Sequence, residues 1–127
     1  MGEVLIDTNV IVRFFAKDVP EQFAKSQEFI EQIDKGNAVG LVSILVIDEI
    51  IWVLENYYGI KRNEFLPRLA ELLALRNIRI IEAKKDLVIK VLEQIQKLNI
   101  DFTDVYLANI AEGRDIFSFD KDFGKLK

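Results

Sequence analysis

Short apolar runs alternate with longer segments of helical period along the whole chain, and no other feature constrains the fold as much. Val4-Leu5-Ile6, Ala38–Val42, Ile78–Ile81 and Ile116–Phe119 are three to five residues long. Such runs are too short for buried helices and apolar enough for strands covered on both faces. Between them the sequence predicts helices with recognisable ends. Asp7 or Thr8 can cap a helix running to about Lys17. Pro20 suits the first turn of a second helix through about Lys35, with Gly36 at its stop. Ser43 caps a strongly apolar helix that ends near Tyr58, with Gly59 beyond it. Asn63 is expected to cap another, with Pro67 near its first turn. Leu87, Val88, Val91, Leu92, Ile95 and Leu98 form a helical stripe, and Thr103 opens a last helix ending near Gly113. Strands alternating with helices imply βαβ units and a parallel sheet covered by helices. At 127 residues the expectation is one domain, residues 1–127.

Composition narrows the chemistry. The chain has no cysteine and no histidine. Disulfides, thiolate chemistry, imidazole bases, histidine zinc sites and Ser-His-Asp triads are therefore excluded. Hydrolytic chemistry must run on carboxylates, lysines, hydroxyls or a hard metal. The formal charge is −4 and the pI is about 4.9, whereas nucleic-acid binders usually carry a basic surplus. Bound cations can offset such a charge at a carboxylate site. The longest apolar run, Leu41–Leu54, is interrupted by Asp48 and Glu49 and is shorter than the roughly 20 residues that span a bilayer. No secretory signal is read at the N-terminus, so a cytoplasmic protein with no membrane partner is expected.

In a parallel α/β sheet the ligand site lies outside the carboxyl ends of the strands. Asp7 follows the first run and Asp120 the fourth. Asp7 also suits a simple strand-to-helix cap, and both roles are compatible if Thr8 or Asn9 does the capping. Asp104 heads a stripe of Leu107, Ala108 and Ala111 and falls in the first turn of its helix, where the dipole favours a carboxylate. Asp101 lies just outside that helix. Asp48 and Glu49 both have apolar helical neighbours, and periodicity does not choose between them. Asp122, beyond Lys121, ranks behind Asp120. Carboxylates converging on one mouth repel each other and either take up protons or recruit a cation. An oxygen-only set favours Mg²⁺ or Mn²⁺, metals suited to phosphodiester hydrolysis.

These motifs, in this order, resemble the PIN-domain ribonucleases, and among them the VapC-type toxins of toxin–antitoxin pairs. Leu5-Ile6-Asp7-Thr8-Asn9-Val10 followed by Arg13-Phe14-Phe15 resembles the opening motif. Ser43 with Glu49 six residues on, then Leu54, resembles the second and selects Glu49 over Asp48. Asp101 to Ala108 resembles the third, with Asp104 in the catalytic position. Ser118-Phe119-Asp120-Lys121-Asp122-Phe123 is similar to the fourth.

The resemblance implies a three-layer α/β/α sandwich with a central, mainly parallel sheet of four to five strands. It implies a Mg²⁺- or Mn²⁺-dependent endoribonuclease with Asp7, Glu49, Asp104 and Asp120 as catalytic metal ligands. Asp101 and Asp122 are additional metal candidates, and Thr8, Asn9 and Ser118 support the site. It further implies RNA as substrate, a homodimer and an inhibitory antitoxin. The chain ends soon after the fourth motif, so a final edge strand is expected to be short or missing. Lys61, Arg62, Arg68, Arg114, Lys121 and Lys125 are the candidate RNA-contacting cations, with solvated surface charge the favoured reading for each.

Three other functions fit parts of the sequence. A catalytically silent PIN-fold binding or regulatory module would not need acids at all four positions. An Asp-nucleophile phosphatase would want a second Asp two residues after Asp7, where Asn9 stands. A structure-specific DNA nuclease would need extra helical elements for gripping a duplex, and the chain has no room for them.

Overall fold

Three parallel strands form the sheet that carries the rest of the chain. The computed structural model describes residues 2–126, apart from the side chain of Lys125, so the expectation for Lys125 lies outside the described residues. The strands are β1 (Glu3–Leu5), β2 (Val39–Val42) and β3 (Ile78–Ile80), in the order β1-β2-β3. Val4 pairs with Gly40, and Leu41 with Arg79. Among the described residues six α-helices flank them: α1 (Thr8–Ala16), α2 (Pro20–Asp34), α3 (Ile44–Trp52), α4 (Arg62–Leu73), α5 (Lys85–Leu98) and α6 (Phe102–Ile110). The fold is thus α/β, a parallel sheet flanked by helices.

The helices bury the residues that their periodicity selects. α1 buries Ile11, Val12 and Phe15, and α5 buries Val88, Val91, Leu92 and Ile95. These meet Val42, Ile47, Ile50, Leu54, Leu69 and Leu73 in one continuous apolar core. α1 packs on α2 and α3, and α5 lies between α4 and α6. Each buried aliphatic side chain contributes about 1.5–3 kcal/mol relative to exposure. No helix among the described residues is long and apolar enough to cross a membrane.

Several expected boundaries shift. The helix after Ser43 is α-helical only to Trp52 and continues as a π-helical turn over Val53–Tyr57. Lys61, not Asn63, stands at the N-cap of α4, which leaves Pro67 in the second turn with an exposed ring. α6 begins at Phe102 behind Asp101, one residue before Thr103.

The largest departure concerns Ile116–Phe119, which forms no strand, so the sheet has three strands among the described residues and not four or five. The short apolar run that suggests a strand is present, but a strand also needs a ladder partner. Here the Ser118 hydroxyl accepts the Asp120 N–H, and the Asp120 carboxylate accepts the Asp122 N–H, at 2.9 Å each. These local bonds turn the chain into a 3-10 helix over Lys121–Leu126. Phe117 and Phe119 stay almost fully exposed, ring edge to ring face at 5.6 Å.

Gly40 sits where the central strand passes closest to its covering side chains. A Cβ there would lie 2.8 Å from Ile6 Cδ1 and 2.9 Å from Ile33 Cδ1. Ile33 is fully buried and has little room to swing away. Gly40→Val gains at most ~1 kcal/mol of strand preference against about 1–3 kcal/mol of overpacking. Urea unfolding is therefore expected to show a lower midpoint with an unchanged slope. A variant as stable as the parent would show that the core over β2 is loosely packed.

Candidate functional site

The carboxyl edge of the sheet gathers polar side chains from each strand. Asp7 follows β1 and caps α1, its carboxylate accepting the Thr8 N–H at 2.9 Å. Asp7 and Asn9 are exposed, while Thr8 is buried. Ser43 follows β2 and caps α3 by accepting the Leu45 N–H. Glu82, just past β3, accepts the Ser43 hydroxyl at 2.5 Å and the Ile44 N–H at 2.8 Å. Those two donors hold the Glu82 carboxyl below the ordinary glutamate range. Sequence reasoning missed Glu82 because its partners lie 38 and 39 residues away, beyond any local pattern.

Three carboxylates meet at the start of α6. Asp104, Asp120 and Asp122 each place an oxygen within 4.8 Å of the others. Asp104 comes from the first helical turn, while Asp120 and Asp122 come from the turn that replaces the fourth strand. Burial is the first cause that pushes the Asp104 carboxyl up. A hydrogen bond with Asp120 and the charges of Asp120, Asp101 and Asp122 push the same way. This is the signature of acids crowded without enough counter-charge. Ser118 supports the turn through its bond to the Asp120 N–H.

A second acidic locus adjoins the first through Asp101. Asp48 points from α3 toward Asp101 and Thr103; burial, then the Asp101 charge, raises its pKa, and a hydrogen bond to Thr103 opposes the rise. Asp48, Glu55, Arg62 and Asp101 line a cavity of about 340 Å³ together with the exposed Trp52. The structure therefore brings Asp104, Asp120 and Asp122 together, with Asp101 close enough to act on both Asp104 and Asp48. Asp7 and Glu49 are not members of the three-carboxylate group. Glu49 is exposed on α3, and Asp48 beside it is half-buried.

A larger cavity, about 650 Å³, opens beside the cluster between α6 and the final turn. Asp120, Ser118 and Arg114 line it, and Arg114 is its one basic side chain among the described residues. The other candidate cations are placed differently. Arg62 is half-buried in an ion pair with Glu55, and Arg68 lies over the Phe15 ring at 5.1 Å. Lys61 and Lys121 are exposed.

The chemistry of the donor set is uniform. Three acidic side chains offer oxygen only, within a span that one hard divalent cation can bridge. Such an arrangement suits a metal that holds a phosphate and lowers the pKa of a bound water. Comparison with protein families finds a match to the family described as PIN domain over residues 4–127. No curated protein and no solved structure matches the chain.

Proposed function

The chain belongs to the PIN-domain family, whose members are generally nucleases, and from that premise we propose that it is a metal-dependent endoribonuclease, the toxin of a VapBC-type pair. The observation that carries this is the convergence of Asp104, Asp120 and Asp122 within 4.8 Å in a chain that has no histidine or cysteine with which to build another kind of site. Asp104, Asp120 and Asp122 would hold Mg²⁺ or Mn²⁺, and the family resemblance adds Asp7 and Glu49. A bound divalent cation there would supply an activated water and offset the charge of the scissile phosphate.

The chain's own residues do the rest. The first turn of α6 presents Asp104 at the positive end of the helix dipole, which favours its charged, ligating form. The paired side-chain-to-backbone bonds at Ser118 and Asp120 fix the turn that presents Asp120 and Asp122. Arg114, which lines the adjoining cavity, would contact an RNA phosphate. An antitoxin in a cytoplasmic complex with a homodimer would inhibit by inserting an Arg among these carboxylates, where a bidentate contact competes with metal.

Incubation of the protein with single-stranded and structured RNA in Mg²⁺, Mn²⁺ or EDTA tests this. Internal cleavage that leaves 5′-phosphate ends and stops in EDTA is expected. Cleavage that persists in EDTA, or no cleavage with either metal, overturns it; in the second case a silent binding module becomes the better description.

A further inference from the structure

Arg62 is among the cations that the sequence offers for contact with RNA, yet its guanidinium turns toward Glu55 and the backbone carbonyls of Ile95 and Ile100. The side chain is 12% exposed. Nε and Nη2 donate to the two oxygens of Glu55 at 2.5 and 3.2 Å, a bidentate pair. Nη1 donates to two backbone carbonyls, Ile95 at 3.1 Å and Ile100 at 2.8 Å.

Each partner belongs to an element that leads to the acids. Ile95 is in the last turn of α5, whose C-cap Asn99 takes a left-handed conformation at φ 52°. Ile100 is the residue before Asp101, the N-cap of α6. Its carbonyl is part of the peptide that links α5 to the helix bearing Asp104. Glu55 lies in the π-helical turn that extends α3, the helix bearing Asp48 and Glu49. One side chain therefore ties α3 and the start of α6 to the first residue of α4. Ile100 and Phe102 are buried on either side of Asp101, so the corner has little other freedom.

We propose that Arg62 is a positioning residue for the acidic site, setting the start of α6 relative to α3 through Glu55 and the Ile100 carbonyl. This rests on the nuclease reading above. The Arg62 guanidinium bonds to none of the candidate ligand carboxylates, only to Glu55 and the Ile95 and Ile100 carbonyls, so its effect on the site would be indirect. It sets the distance between carboxylates of α6 and those of α3 from one step further out than the groups that bond directly to metal ligands. A Lys would keep the charge but cannot reproduce a planar fork that serves a carboxylate and two carbonyls at once.

The test uses Arg62→Met, Arg62→Lys and Glu55→Gln, with Leu69→Ala as a stability control whose fully buried side chain sits on the same helix. Mn²⁺ affinity by direct titration, single-turnover RNA cleavage, KM for RNA and Tm are measured well below the lowest Tm. Arg62→Met is expected to weaken Mn²⁺ binding about 10-fold or more and to slow cleavage at saturating metal. Its KM for RNA is expected to stay within twofold. Arg62→Lys should recover part of the loss. Glu55→Gln, which keeps both carbonyl bonds, should lose less than Arg62→Met. Leu69→Ala should lose Tm with native Mn²⁺ affinity.

If Arg62→Met does not fold, the same comparison is read from Arg62→Lys and Glu55→Gln. Native Mn²⁺ affinity and cleavage despite a lower Tm would make Arg62 merely structural and overturn the proposal. A rise in KM for RNA alone would overturn it in favour of substrate contact. A wild-type protein that neither binds Mn²⁺ nor cuts RNA defeats the nuclease reading itself, a result distinct from either.

Discussion

Asp104→Asn is expected to lower RNA cleavage about 100-fold or more at saturating Mn²⁺, with the fold intact. The figure exceeds the usual 10- to 100-fold cost of losing an outer partner of a metal site, because Asp104 is placed to be a ligand. It is central to the three-carboxylate group, and burial together with Asp120, Asp101 and Asp122 raises its pKa. The amide keeps size and one oxygen but loses the charge that a hard cation needs. Asp120→Asn is expected to cost a similar factor. The family resemblance extends the same expectation to Asp7→Asn and Glu49→Gln, and only a small effect to Asp48→Asn. Single-turnover cleavage with circular dichroism as a check on folding separates these. The α3 pair is the sharpest comparison, since Asp48 faces Asp101 and Glu49 is exposed. A large loss for Asp48→Asn with none for Glu49→Gln would move the site to the 340 Å³ cavity. Full activity in Asp104→Asn would remove the metal site from α6 altogether.

The alternation of strand and helix was legible because both periods are local and each element buries its own stripe. β1, β2 and β3 fall where the apolar runs stand, within a residue or two at each end. Ser43 caps its helix as its side chain suggests, and Asp7 proves to be a cap as well as a residue at the sheet's carboxyl edge. What escaped depends on partners distant in sequence. Ile116–Phe119 is apolar like the other strand runs, but pairing with another strand is a tertiary event, and the Ser118 and Asp120 turn competes with it locally. Arg62 and a solvated arginine look the same in sequence; only the fold brings Glu55, Ile95 and Ile100 to it. Asp122 ranked low because it sits further from the strand end, yet the turn folds it back beside Asp120. For the same reason the resemblance, not periodicity, had to choose between Asp48 and Glu49. Helical spacing fixes a residue's face but not which face another element will cover.

Mn²⁺ should stabilise the wild type far more than Asp104→Asn, and the melting temperature reads this without any substrate. In the metal-free protein the Asp104 pKa is raised above its unfolded value of about 3.9. The folded state thus binds the proton more tightly than the unfolded chain. The group's favourable contribution is complete below about pH 3.9 and is lost as pH rises through the raised folded value. Above that raised value Asp104 is a charge held among like charges. The helix dipole returns about 0.3–1 kcal/mol to a first-turn acid, but burial and three neighbouring carboxylates oppose it. Asp104→Asn without metal should therefore melt no lower than wild type at pH 7, and any advantage should shrink toward pH 4. Asp48, also raised, acts in the same direction, while Glu82, lowered, acts in the other. Both are common to the two proteins, so the difference between the melts isolates Asp104. Mn²⁺ at 100 times Kd should then stabilise wild type by about 2.7 kcal/mol, on the order of 10 °C for a domain of this size. Asp104→Asn should gain much less at the same concentration. Melts of both proteins with EDTA and across a Mn²⁺ series decide the matter. If the metal-free variant melts clearly lower and the two respond alike to Mn²⁺, Asp104 serves the start of α6 and the cation binds elsewhere.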